Sequence, residues 1–229
     1  MQVISRPAPS AAFEPLGSES LANRIADRIV DAVASGGLEP GQRLIEAEIA
    51  AALGVSRMPL REALKLLEAQ GLLAITPRRG AFIVGFDAHR TRQICTARLA
   101  LERLAIHDAA TALRRDPSGA ARLDGFIAQM RHRAEQGEWL AAGKADLEFH
   151  RCLVLAARNP VVAMLWEALA RHVLIVFGRE IRSERDAARL TDQHVRLRKL
   201  LLDGSAGELD AEIERHIMRL SHGAAPAEA

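Results

Sequence analysis

The chain has 229 residues, long enough for two domains and a sizeable core. Hydrophobic residues make up 49%, which excludes an intrinsically disordered chain, while aromatics at 3% and the absence of Tyr disfavour an aromatic-lined sugar or base-stacking surface. The net charge of +2 is too small to point to nucleic acid by itself, and Cys95 and Cys152 are too few for a disulfide framework.

Residues 1–18 hold three prolines among Ser and Ala and are expected to form a flexible arm. They contain no apolar h-region, which disfavours a signal peptide. No apolar run is read as reaching the ~18 residues of a membrane span, so a cytoplasmic protein with no membrane partner is expected. Leu21, Ile25, Ile29 and Val33 recur at helical spacing and predict a helix over 20–34, stopped by Ser35-Gly36-Gly37. A turn at Pro40-Gly41, a short helix over 45–53 and a turn at Gly54 follow. The next helix starts at Ser56, a good N-cap, and ends near Gly71. Two short β segments, 72–75 and 81–84, flank Pro77-Arg78-Arg79-Gly80 and predict a hairpin with a basic tip. After a linker at Gly85-Phe86-Asp87, the periodicity predicts six helices, over 88–114, 118–136, 138–157, 161–183, 185–203 and 206–221, with residues beyond 222 fraying. The expected fold is mainly α: a winged helix-turn-helix over 19–86, then an all-α antiparallel bundle over 88–222.

The helix after Gly54 is unusual. Arg57 sits in its first turn, where a cation opposes the helix dipole. Arg61 and Lys65 extend the basic stripe, and each like-charge pair costs roughly 0.2–0.5 kcal/mol. The stripe is explained if an anion arrives. Leu60, Leu64 and Leu67 lie on a different face, so the helix can dock on its own domain and still present its cations to a major groove. Ser56 and Pro59 shape the N-terminus, which can hold a phosphate. Arg78, Arg79 and Gly80 can reach a minor groove or phosphates. A single arginine is more often an ordinary solvated charge. The turn, the basic helix and the basic β-tip together favour duplex DNA.

Pro40-Gly41-Gln42-Arg43-Leu44, Val55-Ser56-Arg57-Met58-Pro59-Leu60-Arg61-Glu62-Ala63-Leu64, Leu67-Glu68-Ala69-Gln70-Gly71-Leu72 and Arg79-Gly80-Ala81-Phe82-Ile83-Val84 resemble the winged-helix domain of GntR-family bacterial transcriptional regulators. The resemblance implies that Arg57 and Arg61 read the operator and that Gly80 lies at the wing tip. Some relatives carry a further arginine on the second helix. Here that position is Ala47, so an operator cannot be borrowed from them.

Asp146 and His150, spaced i, i+4, share a helix face that Leu153 continues. His194 falls in the row Leu190, His194, Leu197, Leu201, and His216 in the row Leu209, Ile213, His216, Leu220. Buried polar groups need partners. Four such groups converging would satisfy one another through a divalent metal such as Zn, Ni, Co or Mn. The spacing leaves lone core histidines as the other reading. Arg98 shares a face with Ile94, Leu101 and Ala105. It either pairs with Glu102 one turn on or clamps an effector carboxylate.

Arg98-Leu99-Ala100-Leu101-Glu102, Asp146-Leu147-Glu148-Phe149-His150, Asn159-Pro160, Asp192-Gln193-His194 and His216 resemble the FCD domain, the FadR-type effector domain of GntR regulators. The resemblance implies a metal held by Asp146, His150, His194 and His216, and a small organic acid as effector, with Arg98 and Glu102 in its site. Six helices instead of seven suggest the VanR-like subgroup. The expected protein is a homodimeric regulator, a repressor by preference, that binds double-stranded operator DNA and answers to a small carboxylate metabolite. A metal-dependent helical hydrolase or lyase and a direct metal sensor are the competing readings.

Overall fold

The computed structural model describes residues 20–222, with side chains to Ser221. The expected N-terminal arm and the expected fraying beyond 222 lie outside these residues. Among them are nine helices and one three-stranded sheet.

The first unit begins with α1 (Leu21–Ser35), capped by Ser20, whose side chain accepts the Asn23 N–H at 3.2 Å. It ends at Gly36 in the left-handed region, φ 82°, where a side chain would be strained. A two-residue strand β1 (Arg43–Leu44), α2 (Glu46–Leu53) and α3 (Arg57–Ala69) follow, then β2 (Leu73–Thr76) and β3 (Gly80–Ile83). The sheet order is β1-β3-β2, antiparallel throughout, with Leu44 opposite Ala81 and Thr76 opposite Gly80. The expected two-stranded hairpin therefore gains a third strand. Arg43-Leu44 pairs with residues almost forty positions later, and no local periodicity marks so short a strand.

Two further expectations are corrected. Ser56 occupies the N-cap position of α3 with extended backbone, but its side chain makes no capping hydrogen bond. Gly85-Phe86-Asp87 joins β3 to the helical part as a short linker, and it is pinned in place. Phe86 is buried, Asp87 caps the next helix by accepting the Arg90 N–H at 2.7 Å, and the Arg179 guanidinium donates to the Phe86 carbonyl. The second correction is to the expected absence of a long apolar run, since Pro160–Ser183 is one.

The helical part comprises α4 (Ala88–Arg115), α5 (Pro117–Glu135), α6 (Trp139–Ala156), α7 (Pro160–Ser183), α8 (Ala187–Asp203) and α9 (Ala206–His222). Each boundary lies within two residues of its expected place. Asp116 and Asn159, each followed by Pro, cap α5 and α7 by accepting backbone N–H groups of Ser118 and Val162. The α7 segment is long and apolar enough to cross a membrane, by length and composition. Its buried face, Val162, Trp166, Ala170 and 173–177, belongs to the protein core. Its charged residues are matched across helices: Glu167 to Arg151 at 2.8 Å, and Arg171 to Asp27 at 2.9 Å.

The two parts meet along α1 and α7. Arg171 bridges to Asp27 on α1 and donates a second hydrogen bond to the Gln70 side-chain oxygen, 3.1 Å away at the end of α3. Lys144 on α6 reaches Asp31 at 2.6 Å. Arg182 donates to the carbonyls of Val33 and Ala34 at 3.2 and 2.7 Å, placing a cation at the negative end of α1.

Candidate functional site

Two sites emerge, one on each part. On α3, Leu60, Ala63, Leu64 and Leu67 are buried, whereas Ser56, Arg57, Arg61 and Lys65 are exposed and Pro59 is half-buried. The apolar and basic faces separate as the 3.6-residue period requires. Arg61 forms an exposed ion pair with Glu46 at the start of α2, 2.8 Å apart. That contact orients the guanidinium without burying it. Arg78 and Arg79 are exposed at the tip of the β2–β3 hairpin, and Arg78 adopts φ 64°. Gly80 follows at φ 98° and is required there, because an added Cβ would be both strained and 3.3 Å from the Arg43 guanidinium.

The second site lies inside the helical part. Asp146 and His150 project from α6, His194 from α8 and His216 from α9, and all four are at most 3% exposed. One ligand atom from each falls within 4.8 Å of every other. Local structure dictates which atoms these are. His194 Nδ1 is 2.7 Å from the Leu190 carbonyl, one turn back on α8, and so carries the proton. In a neutral ring the other nitrogen is then a lone pair. That lone pair, on Nε2, faces Asp146 Oδ2 at 2.9 Å, and neither buried atom has a hydrogen-bond partner. His150 Nδ1 is 2.7 Å from Glu102 Oε2 and donates to it, so its Nε2 lone pair faces His216 Nε2 at 3.0 Å. Three imidazole nitrogens and a carboxylate thus point at one another in a dry interior, where unpaired acceptors are costly. A shared cation removes that conflict.

The surroundings hold these rings in place. Glu102 accepts from Arg98 Nε at 2.8 Å, from Trp166 Nε1 at 3.1 Å and from His150. The structure therefore realises the Arg98–Glu102 pairing. Arg98 Nη2 remains without a hydrogen-bond partner, 3.9 Å from Asp146 Oδ1. Phe149 meets the His150 and His194 rings edge-on, with centroids 5.4 and 5.0 Å away. Sequence reasoning missed Trp166, whose partner Glu102 sits on another helix 64 positions earlier.

Electrostatics follows from burial and neighbours. Burial pushes His150 down from the ordinary imidazole range, with Arg98 adding to the effect. Burial, with His194 and His150 alongside, lowers His216 much further. Both rings are thus kept neutral, the state a metal ligand requires. Burial alone would raise the carboxyls. For Glu102 the neighbouring His150 and Arg98 outweigh it and bring the value to about 2. For Asp146, His194, His150 and Arg98 hold it well below the usual carboxylate range.

With this geometry in hand, similarity to known proteins is decisive. Residues 21–83 match the family described as bacterial regulatory proteins, gntR family, and residues 93–219 match the FCD domain. The chain belongs to the GntR family of bacterial transcriptional regulators. This GntR regulator is 33% identical over 184 residues to the Nta operon transcriptional regulator of Aminobacter aminovorans, covering 79% of the chain and 83% of that protein. It is 26% identical over 184 residues to the gluconate operon transcriptional repressor of Bacillus subtilis, covering 78% and 74% respectively. Its fold is that of E. coli McbR/YncC, with TM-score 0.73 at 21% identity over 89% of this chain and 98% of the other. As a GntR regulator with an FCD domain, it is a DNA-binding transcriptional regulator and not an enzyme.

Proposed function

We propose that this GntR regulator is a homodimeric, cytoplasmic repressor whose FCD part binds a divalent metal and a small organic acid, and that the acid modulates its hold on operator DNA. The winged-helix unit spans 19–86 and the effector unit 88–222. The observation that carries the reading is the orphaned pair His194 Nε2 and Asp146 Oδ2, both buried and 2.9 Å apart, beside the facing nitrogens of His150 and His216. Asp146, His150, His194 and His216 would hold the ion, with Glu102 fixing His150 and the Leu190 carbonyl fixing His194. Zn, Ni, Co and Mn all accept this mixed nitrogen and oxygen set. A bound ion would supply a Lewis-acidic centre able to accept an effector carboxylate as a further ligand. Arg98, with its free Nη2 beside Asp146, adds a fixed positive charge behind the cluster.

Arg57, Arg61 and Lys65 face the major groove. Ser56 and Pro59 place the α3 N-terminus near a phosphate. Arg78, Arg79 and Gly80 form the wing contact. Two copies address two half-sites of a pseudo-palindrome. Repression is supported by the name of the Bacillus subtilis relative. The six helices after Asp87, among the described residues, support the VanR-like subgroup.

Zinc titration by calorimetry tests the reading. One ion per chain is expected for the wild type, with binding lost in an Asp146→Ala, His194→Ala double variant that still folds. Equal zinc binding by wild type and double variant would remove the assignment.

A further inference from the structure

Of the cations on the DNA face, one is already held. Among the described residues, Arg57, Lys65, Arg78 and Arg79 form no ion pair, whereas Arg61 Nε donates to Glu46 Oε2 at 2.8 Å. Arg61 stands in the middle of the α3 stripe, one turn from Arg57 and one turn from Lys65, both like charges. The carboxylate that meets it comes from another helix, 15 positions earlier. Gly54 ends α2 in the left-handed region, φ 64°, and the turn it makes sets the start of α2 beside the second turn of α3.

The pair does little for stability. The side chains of Arg61 and Glu46 are 60% and 39% exposed, and an ion pair so open to water is worth little. Nor does the dipole of α2 depend on Glu46, because Glu48 lies in the same first turn. What the pair fixes is direction. A guanidinium carries five N–H donors in a planar fork. Engaging Nε sets the plane and leaves the Nη groups, which make no hydrogen bond among the described residues, as a free pair of donors. Such a pair is the edge that meets O6 and N7 of a guanine. A phosphate contact needs no such orientation and carries no sequence information. A carboxylate at a DNA face also repels phosphates, so it lowers affinity for every sequence.

We propose that Glu46 is a positioning residue for sequence recognition: it holds Arg61 with its Nη edge free for a guanine, and its charge keeps that guanidinium from settling on a phosphate. This rests on the placing of Arg61 in the major groove. Glu46 itself touches no base. Arg61 reaches the groove already oriented, so its base contact forms without first ordering the side chain. Glu46 thus trades some grip on DNA in general for discrimination between sequences.

The test measures binding of full-length protein, by fluorescence anisotropy, to a duplex selected by the wild type from a random library and to a scrambled duplex of the same length. The ratio of the two affinities is the readout, and thermal unfolding reports that each variant folds. Glu46→Ala is expected to bind the scrambled duplex more tightly, because a negative charge is gone, yet to lower the ratio about tenfold. Glu46→Gln keeps an oxygen that accepts from Nε and should lose less of the ratio than Glu46→Ala. Single base-pair changes in the selected duplex should place the lost discrimination at the positions where Arg61→Ala loses it. In an Arg61→Ala background, Glu46→Ala should change the ratio no further. A wild-type ratio in Glu46→Ala overturns the proposal, since the pair is then a surface contact only. So does a loss that persists in the Arg61→Ala background, which would make Glu46 a base reader in its own right. A wild-type ratio in Arg61→Ala refutes base reading by Arg61 itself, and the positioning by Glu46 falls with it.

Discussion

Gly178 on α7 lies against the carbonyl oxygen of Ala34 on α1, so closely that a Cβ added there would sit 2.3 Å from that oxygen. The obstacle is backbone, not a flexible side-chain end, so one helix must move. Gly178→Ala is therefore expected to destabilise the protein by about 1–3 kcal/mol, as overpacking does, and to loosen the α1–α7 seam. Urea unfolding checks the first effect, and faster amide exchange at the end of α1 checks the second.

Replacing Arg57 and Arg61 together by Ala should abolish specific operator binding and leave stability nearly unchanged. Both side chains are exposed, and the Arg61–Glu46 pair is a surface pair of small worth. Loss of a bidentate base contact costs about 1–3 kcal/mol of discrimination for each arginine. Fluorescence anisotropy on a duplex selected from a random library measures the first effect, and thermal unfolding the second.

The separation of these arginines from Leu60, Leu64 and Leu67 was legible in the sequence because both faces repeat at the helical period along one segment. The inward direction of His150, His194 and His216 was legible for the same reason, since each interrupts an apolar row. Pairings between helices were not. Nothing near Trp166 announces Glu102, and nothing near Arg61 announces Glu46, because such contacts depend on how separate segments pack. Strand β1 escaped likewise, its two residues finding their partners on β3. Ser56 shows the opposite failure: a residue type well suited to capping occupies the cap position without making the bond.

Trp166→Phe should weaken metal binding while leaving all four ligands in place. The indole N–H helps to position Glu102, which in turn orients His150. Loss of such an outer contact typically lowers metal affinity about 10–100-fold. Competition against a chromogenic zinc chelator measures the change. Unaltered affinity would show that Glu102 is held well enough by Arg98 alone.

Metal-free protein should lose stability as pH falls below about 6.5, the ordinary imidazole value. Burial keeps His150 and His216 neutral in the folded state, whereas the unfolded chain protonates both. The unfolded state then binds more protons, so stability declines with falling pH. Asp146 and Glu102, held low in the fold, extend the decline once pH passes below about 4. Urea midpoints between pH 8 and pH 4 give the slope. A flat profile from pH 7 to pH 5 would contradict the burial of neutral rings.

Chelation should lower thermal stability in the wild type and have little effect on the Asp146→Ala, His194→Ala variant. An ion present at a hundred times its dissociation constant stabilises the fold by about 2.7 kcal/mol. Differential scanning fluorimetry with and without EDTA reads this difference.

The central claim is that an organic acid acts through the Asp146–His150–His194–His216 cluster to change the grip of Arg57 and Arg61 on DNA. Anisotropy of the selected duplex, titrated with succinate and malate in zinc-loaded and in chelated protein, tests it most directly. The acids are expected to release DNA from the zinc-loaded wild type and to have no effect after chelation. Release that is equal in both forms, or absent from both, would contradict it.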